Sequence, residues 1–195
     1  MLRVVALVAM FCTVSQGQDL DGICRLSCEG STWSGIAISE TQILTVAHHG
    51  FDAGKVIRAE FPFGKHGAFE RIGVKSTVLR SDTARDLSLL SYSQPVVAKV
   101  RCYPVGKSLA IGDNAVISGY VADQAMVVTC PLRRADLEVT GTGIPIFEFN
   151  GVAVSGMSGS GAVRDGYTVG IQFGGETTCL HAVTVDSIRQ FLGEQ

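Results

Sequence analysis

Gly156-Met157-Ser158-Gly159-Ser160-Gly161-Ala162-Val163 sets a serine among small residues and then turns apolar. Glycine accepts backbone angles that other residues avoid, so such a run suits a tight loop whose amide hydrogens converge on one point. A serine on that loop stands exposed beside a cluster of N–H donors, the arrangement an acyl-transfer oxyanion requires. Taken alone, a Gly-Ser run is also what an ordinary turn looks like.

Two other stretches change the balance. Ile43-Leu44-Thr45-Val46-Ala47-His48-His49-Gly50 runs an apolar strand into a histidine, and Arg85-Asp86-Leu87-Ser88-Leu89-Leu90 opens an apolar strand with an aspartate. Together the three segments resemble the signature segments of the trypsin-like (chymotrypsin-fold) serine proteases, Thr-Ala-Ala-His, Asp-Ile-Ala-Leu and Gly-Asp-Ser-Gly-Gly, in that family's chain order. The resemblance covers roughly Trp33 to the C-terminus. It implies an all-β chain of two packed six-stranded antiparallel Greek-key barrels with a short C-terminal helix.

The expected roles follow from chemistry. A serine hydroxyl is a poor nucleophile near neutral pH and needs a base during attack. A histidine titrates in the right range for that task, and a carboxylate holds it in one tautomer and stabilises its charged form. The resemblance assigns Ser158 as nucleophile, His48 as base and Asp86 as the orienting carboxylate. By position it assigns the amides of Gly156 and Ser158 to the oxyanion hole. It also places Val152, Gln172, Phe173 and Gly174 along the substrate, where Gln172 to Gly174 would pair with a peptide as an added strand.

Each role has a rival. His49 adjoins His48, but the family pattern puts the base directly after Ala47. Asp82 lies four residues before Asp86, yet only Asp86 precedes the apolar run. Ser160 stands where the family usually has glycine, as in some glutamyl-endopeptidase-like relatives. His66 and His181 are isolated and read as structural or surface residues. The α/β-hydrolase elbow Gly-x-Ser-x-Gly does not fit, because Ser160 replaces its last glycine and the chain order is His, Asp, Ser.

The resemblance has departures. Met157 replaces the aspartate that receives the new N-terminal amine in the family's zymogens, and the chain has no Ile-Val-Gly-Gly segment. These features bring it nearer to bacterial and glutamyl-endopeptidase-like members than to digestive trypsins. The expectation is an oxyanion loop that forms without that activation switch. No acid sits where a trypsin pocket carries one, and glutamate-specific relatives have a histidine where Gln172 aligns, which leaves a small-to-medium apolar or neutral residue as the expected preference.

Elsewhere the chain is read by composition. Val4 to Cys12 is an apolar run behind Arg3, followed by Ser15 and Gly17, the layout of a secretory leader and too short to span a membrane. Residues 1–17 are therefore read as a signal peptide, which predicts a secreted or periplasmic protein free of the membrane once the leader is removed. Residues 18–32 show no strand pattern. The peptidase domain is set at 33–195, with barrels at 33–93 and 108–183 and a helix at 184–193. With 23 glycines, 46% hydrophobic residues and a net charge of −2 in 195 residues, the composition suits a β-rich domain and offers no basic patch for nucleic acid. Removing the leader leaves Cys24, Cys28, Cys102, Cys130 and Cys179, and export predicts two disulfides and one thiol. Their spacing is not that of zinc ligands, and the serine chemistry needs no metal or organic cofactor. Thr184 caps and Gly193 stops an amphipathic helix carrying Ile188, Phe191 and Leu192.

The function so expected is a secreted endopeptidase acting on protein or peptide substrates, its oligomeric state left open. The competing expectations are a catalytically silent binding module on the same fold and a capsid-like protease limited to one self-cleavage.

Overall fold

Leu87-Ser88-Leu89-Leu90-Ser91-Tyr92 shows how the strands arise: large apolar residues recur in a short run after an Asp-bearing turn, and nearly the whole strand is buried. In the computed structural model, which describes residues 22–63, 70–94, 100–121, 123–139 and 143–194, twelve such strands form two closed barrels. The expected leader, His66 and residues 95–99 of the expected inter-barrel linker lie outside the described residues.

The first barrel contains β1 (Ile23–Cys28), β2 (Ser31–Ala37), β3 (Gln42–Thr45), β4 (Val56–Phe63), β5 (Glu70–Asp82) and β6 (Leu87–Tyr92), hydrogen-bonded in the order β1-β2-β3-β6-β5-β4. The second contains β7 (Asn114–Val121), β8 (Gln124–Val139), β9 (Ile144–Asn150), β10 (Gly161–Arg164), β11 (Tyr167–Gly175) and β12 (Cys179–Thr184), in the order β10-β11-β12-β9-β8-β7. Read around the ring, the two orders are the same, so the halves repeat in topology although no repeat is visible in the sequence. Every pairing within the barrels is antiparallel.

Helix α1 (Val185–Leu192) closes the chain. The Thr184 side chain accepts from the Ser187 amide, and Gly193 takes a left-handed conformation. Ile188 and Phe191 bury their side chains in the same apolar cluster as Trp33, Ile36 and Leu44 of the first barrel. Ile171 and Val183 of the second barrel join that cluster too, so the interface between the barrels is continuous with the first barrel's core. A second cluster, including Ile117, Leu132, Phe149 and Leu180, fills the second barrel.

Two expectations need correction. Residues 23–28, read as lacking a strand, form β1, which pairs with both β2 and β4 and closes the first barrel. Among the described residues no disulfide joins Cys24, Cys28, Cys102, Cys130 or Cys179. Cys24 and Cys28 lie four residues apart on one strand, about 13 Å at strand rise, whereas a bridge needs Cα atoms within about 7 Å. Cys24 is fully buried, and burial pushes its thiol well above the ordinary range. Cys130 sits in the second core.

Candidate active site

The site candidates sit at strand ends on the two barrels. His48 follows β3, Asp86 precedes β6, and Ser158 lies in the loop between β9 and β10. The pairing of β3 with β6, with Thr45 opposite Ser88, brings the first two together.

Asp86 holds His48 at two points and Ala47 at a third. Its Oδ2 lies 2.7 Å from His48 Nδ1, and its Oδ1 accepts from the amides of His48 at 2.7 Å and Ala47 at 2.8 Å. The ring is thereby fixed through side chain and backbone alike. Asp86 itself adopts φ 53°, a left-handed conformation that aspartate tolerates better than most residues. The hydrogen bond to Asp86 raises the pKa of His48 above its ordinary 6.5, against the opposing effect of partial burial. Asp82, the rival carboxylate, is occupied by Arg85, whose amide and guanidinium donate to it at 3.0 and 2.6 Å.

His49 turns away and stacks on Trp33 at 4.4 Å between ring centroids, with Phe51 stacked on the same indole. Burial, and then the neighbouring His48, lower its pKa.

Ser158 is half-buried, whereas Ser160 is fully buried. Ser160 Oγ packs against Gly119, where a Cβ would lie 1.8 Å from it. An incoming acyl group has no access to Ser160. The serine loop is pinned from three sides. The amide of Gly159 donates to the carbonyl of Gln172 at 2.8 Å, and the Gln172 amide donates to the Ser160 carbonyl at 2.9 Å. Met157 is fully buried in the second core, so the position that carries an aspartate in zymogens is here an apolar anchor. Gly159 has φ +86°, and a Cβ there would stand 2.0 Å from the Ser34 carbonyl oxygen and 2.3 Å from Thr45 Oγ1. The loop therefore lies against β2 and against Thr45, three residues before His48.

Ser34, which sequence reasoning missed, is the third anchor. Its amide donates to the Ser158 carbonyl at 2.8 Å, and its hydroxyl donates to the Gly156 carbonyl at 3.1 Å while accepting from the Tyr120 amide at 2.8 Å. Its carbonyl accepts from Thr45 Oγ1 at 2.6 Å. One first-barrel residue thus ties the serine loop to β7 and to the strand that carries His48. No motif marked it; a buried serine in a strand has no distinctive spacing.

Among the described residues, the amides of Met157, Gly159 and Ser160 donate within the protein, to Val154, Gln172 and Met157. Those of Gly156 and Ser158 have no protein acceptor among the described residues. Of the residues expected along the substrate, Val152 is exposed, and Gly174 faces open space, with nothing within 4 Å of an added Cβ. Phe173 occupies a bulge, for the ladder to β12 passes from Gln172 to Gly174 without it. Gln172 differs from expectation. Its side chain is buried, its Nε2 donating to the Gly174 carbonyl at 3.0 Å, so it braces the edge instead of lining open space.

No protein-family model matches the chain, and no curated protein matches it in sequence. In structure it is similar to the Rv3671c protease in an inactive form, with a TM-score of 0.67 and 16% identity over 89% of this chain and 88% of that one. It is similar to Deg5, with a TM-score of 0.70 and 15% identity over 88% and 87%. It also resembles a serine-to-alanine mutant of Rv3671c from M. tuberculosis, again in an inactive form, with a TM-score of 0.68 and 15% identity over 89% and 85%. At these identities the likeness concerns architecture, and the architecture of this chain is the two-barrel fold of the chymotrypsin-like serine proteases.

Proposed function

We propose that the chain is an exported serine endopeptidase, with His48 as base, Asp86 as its orienting carboxylate and Ser158 as nucleophile. The observation that carries this reading is the hold of Asp86 on the ring and amide of His48 and on the amide of Ala47. A carboxylate placed at Nδ1 leaves Nε2 as the lone-pair nitrogen, the form a general base needs. Ser158 Oγ attacks the peptide carbonyl carbon and passes its proton to His48. The oxyanion collects on the Gly156 and Ser158 amides, and His48 then protonates the departing amine. Water repeats the cycle on the acyl-enzyme, so the reaction balances without a metal or organic cofactor.

Burial of Met157 supports an oxyanion loop that assembles without an N-terminal salt bridge. Ser160 and Met157 favour placement near the bacterial and glutamyl-endopeptidase-like members. The open space at Gly174 and the braced Gln172 favour a neutral residue at the cleaved position. The apolar leader motivates export.

Labelling with a fluorophosphonate probe tests the reading. Label on the wild type and Ser160→Ala, lost with Ser158→Ala, is the expected result. A folded, unlabelled protein would point to the silent binding module, and label lost only with Ser160→Ala would overturn the assignment of the nucleophile.

A further inference from the structure

On the outer face of the second barrel, Glu148 of β9 lies directly opposite His181 of β12, and Cys179 precedes His181 by two residues on the same strand. Side chains two apart on a strand share a face. Leu180 and Ala182 point into the second core, so Cys179 and His181 project outward beside Glu148. His181 Nε2 lies 3.6 Å from Cys179 Sγ and 3.5 Å from Glu148 Oε2, and the three atoms lie within 4.8 Å of one another.

The carboxylate contact is long for a direct hydrogen bond, while the thiol contact lies within hydrogen-bond range for the larger sulfur atom, and a single imidazole nitrogen cannot direct one proton at a thiol and a carboxylate together. Both distances are those of ligands around a shared ion. Bonds of about 2.3 Å to sulfur and about 2.0 Å to nitrogen or oxygen, arranged tetrahedrally, put ligand atoms about 3.3 to 3.6 Å apart. We propose that Glu148, Cys179 and His181 form a binding site for a divalent cation of the zinc type.

The donor set selects the ion. Thiolate with imidazole favours zinc over magnesium or calcium, and one carboxylate completes a mixed sulfur, nitrogen and oxygen set. Three protein ligands leave a fourth position for water or an added ligand, as in exchangeable zinc sites. Arg133 Nε, 3.6 Å from Glu148 Oε1, holds the far oxygen of the carboxylate. Binding converts the Cys179 thiol to thiolate and releases its proton to solvent. The linear spacing of cysteines and histidines carries no trace of the site, because Glu148 arrives from a different strand. His181 pairs with Gly174 across β11 and its ring lies 6.2 Å from Phe173, so a bound ion stiffens the edge next to the bulge. The site owes nothing to Ser158 and stands whether or not the chain is a protease.

The test is titration of the reduced, chelator-treated full protein with Co²⁺, followed by displacement with Zn²⁺. One equivalent with a sulfur-to-cobalt charge-transfer band in the near ultraviolet, and a higher melting temperature with Zn²⁺, is expected. Cys179→Ser should abolish that band, Ser158→Ala should leave it intact, and His181→Gln should weaken Co²⁺ binding by at least about tenfold. Absence of the band, or its persistence in Cys179→Ser, overturns the proposal. If Cys179→Ser does not fold, as judged by circular dichroism, the half-buried His181→Gln decides, and unchanged Co²⁺ affinity there overturns it equally.

Discussion

Ser34 links the serine loop to both barrels with every polar group it has, and its hydroxyl is the acceptor of a buried amide. Ser34→Ala should strand the Tyr120 N–H and cost about 1–3 kcal/mol of stability, the penalty typical of an unsatisfied buried donor. It also frees the Gly156 carbonyl, so kcat on a fluorogenic peptide is expected to fall about tenfold or more with KM little changed; equal kcat in wild type and variant would contradict this role. Asp86 gives a second prediction. Because His48 is raised above 6.5, its base form accumulates only at higher pH, and kcat/KM should climb through a midpoint above that value. In the same sense, the stability that the pair contributes is present in full below 6.5 and fades as pH rises through the raised value. Asp86→Asn should move the rate midpoint down and lower kcat by about 10⁴-fold, the loss typical of removing an orienting carboxylate. A pH–rate profile of both proteins measures it. The meeting of His48 with Asp86 was legible because both residues stand at the ends of apolar strand runs, whereas Ser34 was not, because its work is done by hydrogen bonds to residues 86 and 124 positions away.

Elements with clean periodicity were legible in the same measure. β6 runs on from the apolar stretch after Asp86, and α1 begins and ends at its expected caps, Thr184 and Gly193. Thr184→Ala should cost about 1 kcal/mol by orphaning the Ser187 amide, visible as a lowered denaturation midpoint with an unchanged slope. A midpoint equal to wild type would mean that this cap contributes nothing. β1 and the distal half of β8 lack such a pattern, for different reasons. Ile23-Cys24-Arg25-Leu26 buries Arg25 partly, and Arg25 donates to Glu60 at 2.9 Å, so polar residues interrupt what alternation there is. In β8 the charged run Arg133-Arg134-Ala135-Asp136 extends the strand beyond the core and is accommodated by register shifts between Leu132 and Arg134 and between Arg134 and Leu137. Neither feature has a period to read.

At the scale of the molecule, the apolar cluster crossing from Trp33 and Ile36 to Ile171, Val183 and Phe191 should make the two barrels unfold as one unit. Leu180, fully buried in the second core, provides the test: Leu180→Ala should cost about 2–5 kcal/mol. Trp33, the sole tryptophan, reports from the first barrel. Its fluorescence transition in the variant should shift together with that of circular dichroism; a tryptophan transition left at the wild-type midpoint would show that the barrels unfold separately. The two-barrel plan was legible from the three motifs, but the identity of ring order between the halves was not, since topology repeats here without residues repeating.

The left-handed backbone at Asp86 has an evolutionary consequence. Asparagine accepts φ 53° as readily as aspartate, and its amide oxygen can still receive the backbone hydrogens of Ala47 and His48. A single nucleotide change turns an aspartate codon into an asparagine codon, so purifying selection for a folded protein alone would let that mutation drift. Under the proposed function, in a lineage released from the demand for proteolysis, position 86 is where catalysis is lost first, with only the charged pair's share of stability lost beside it.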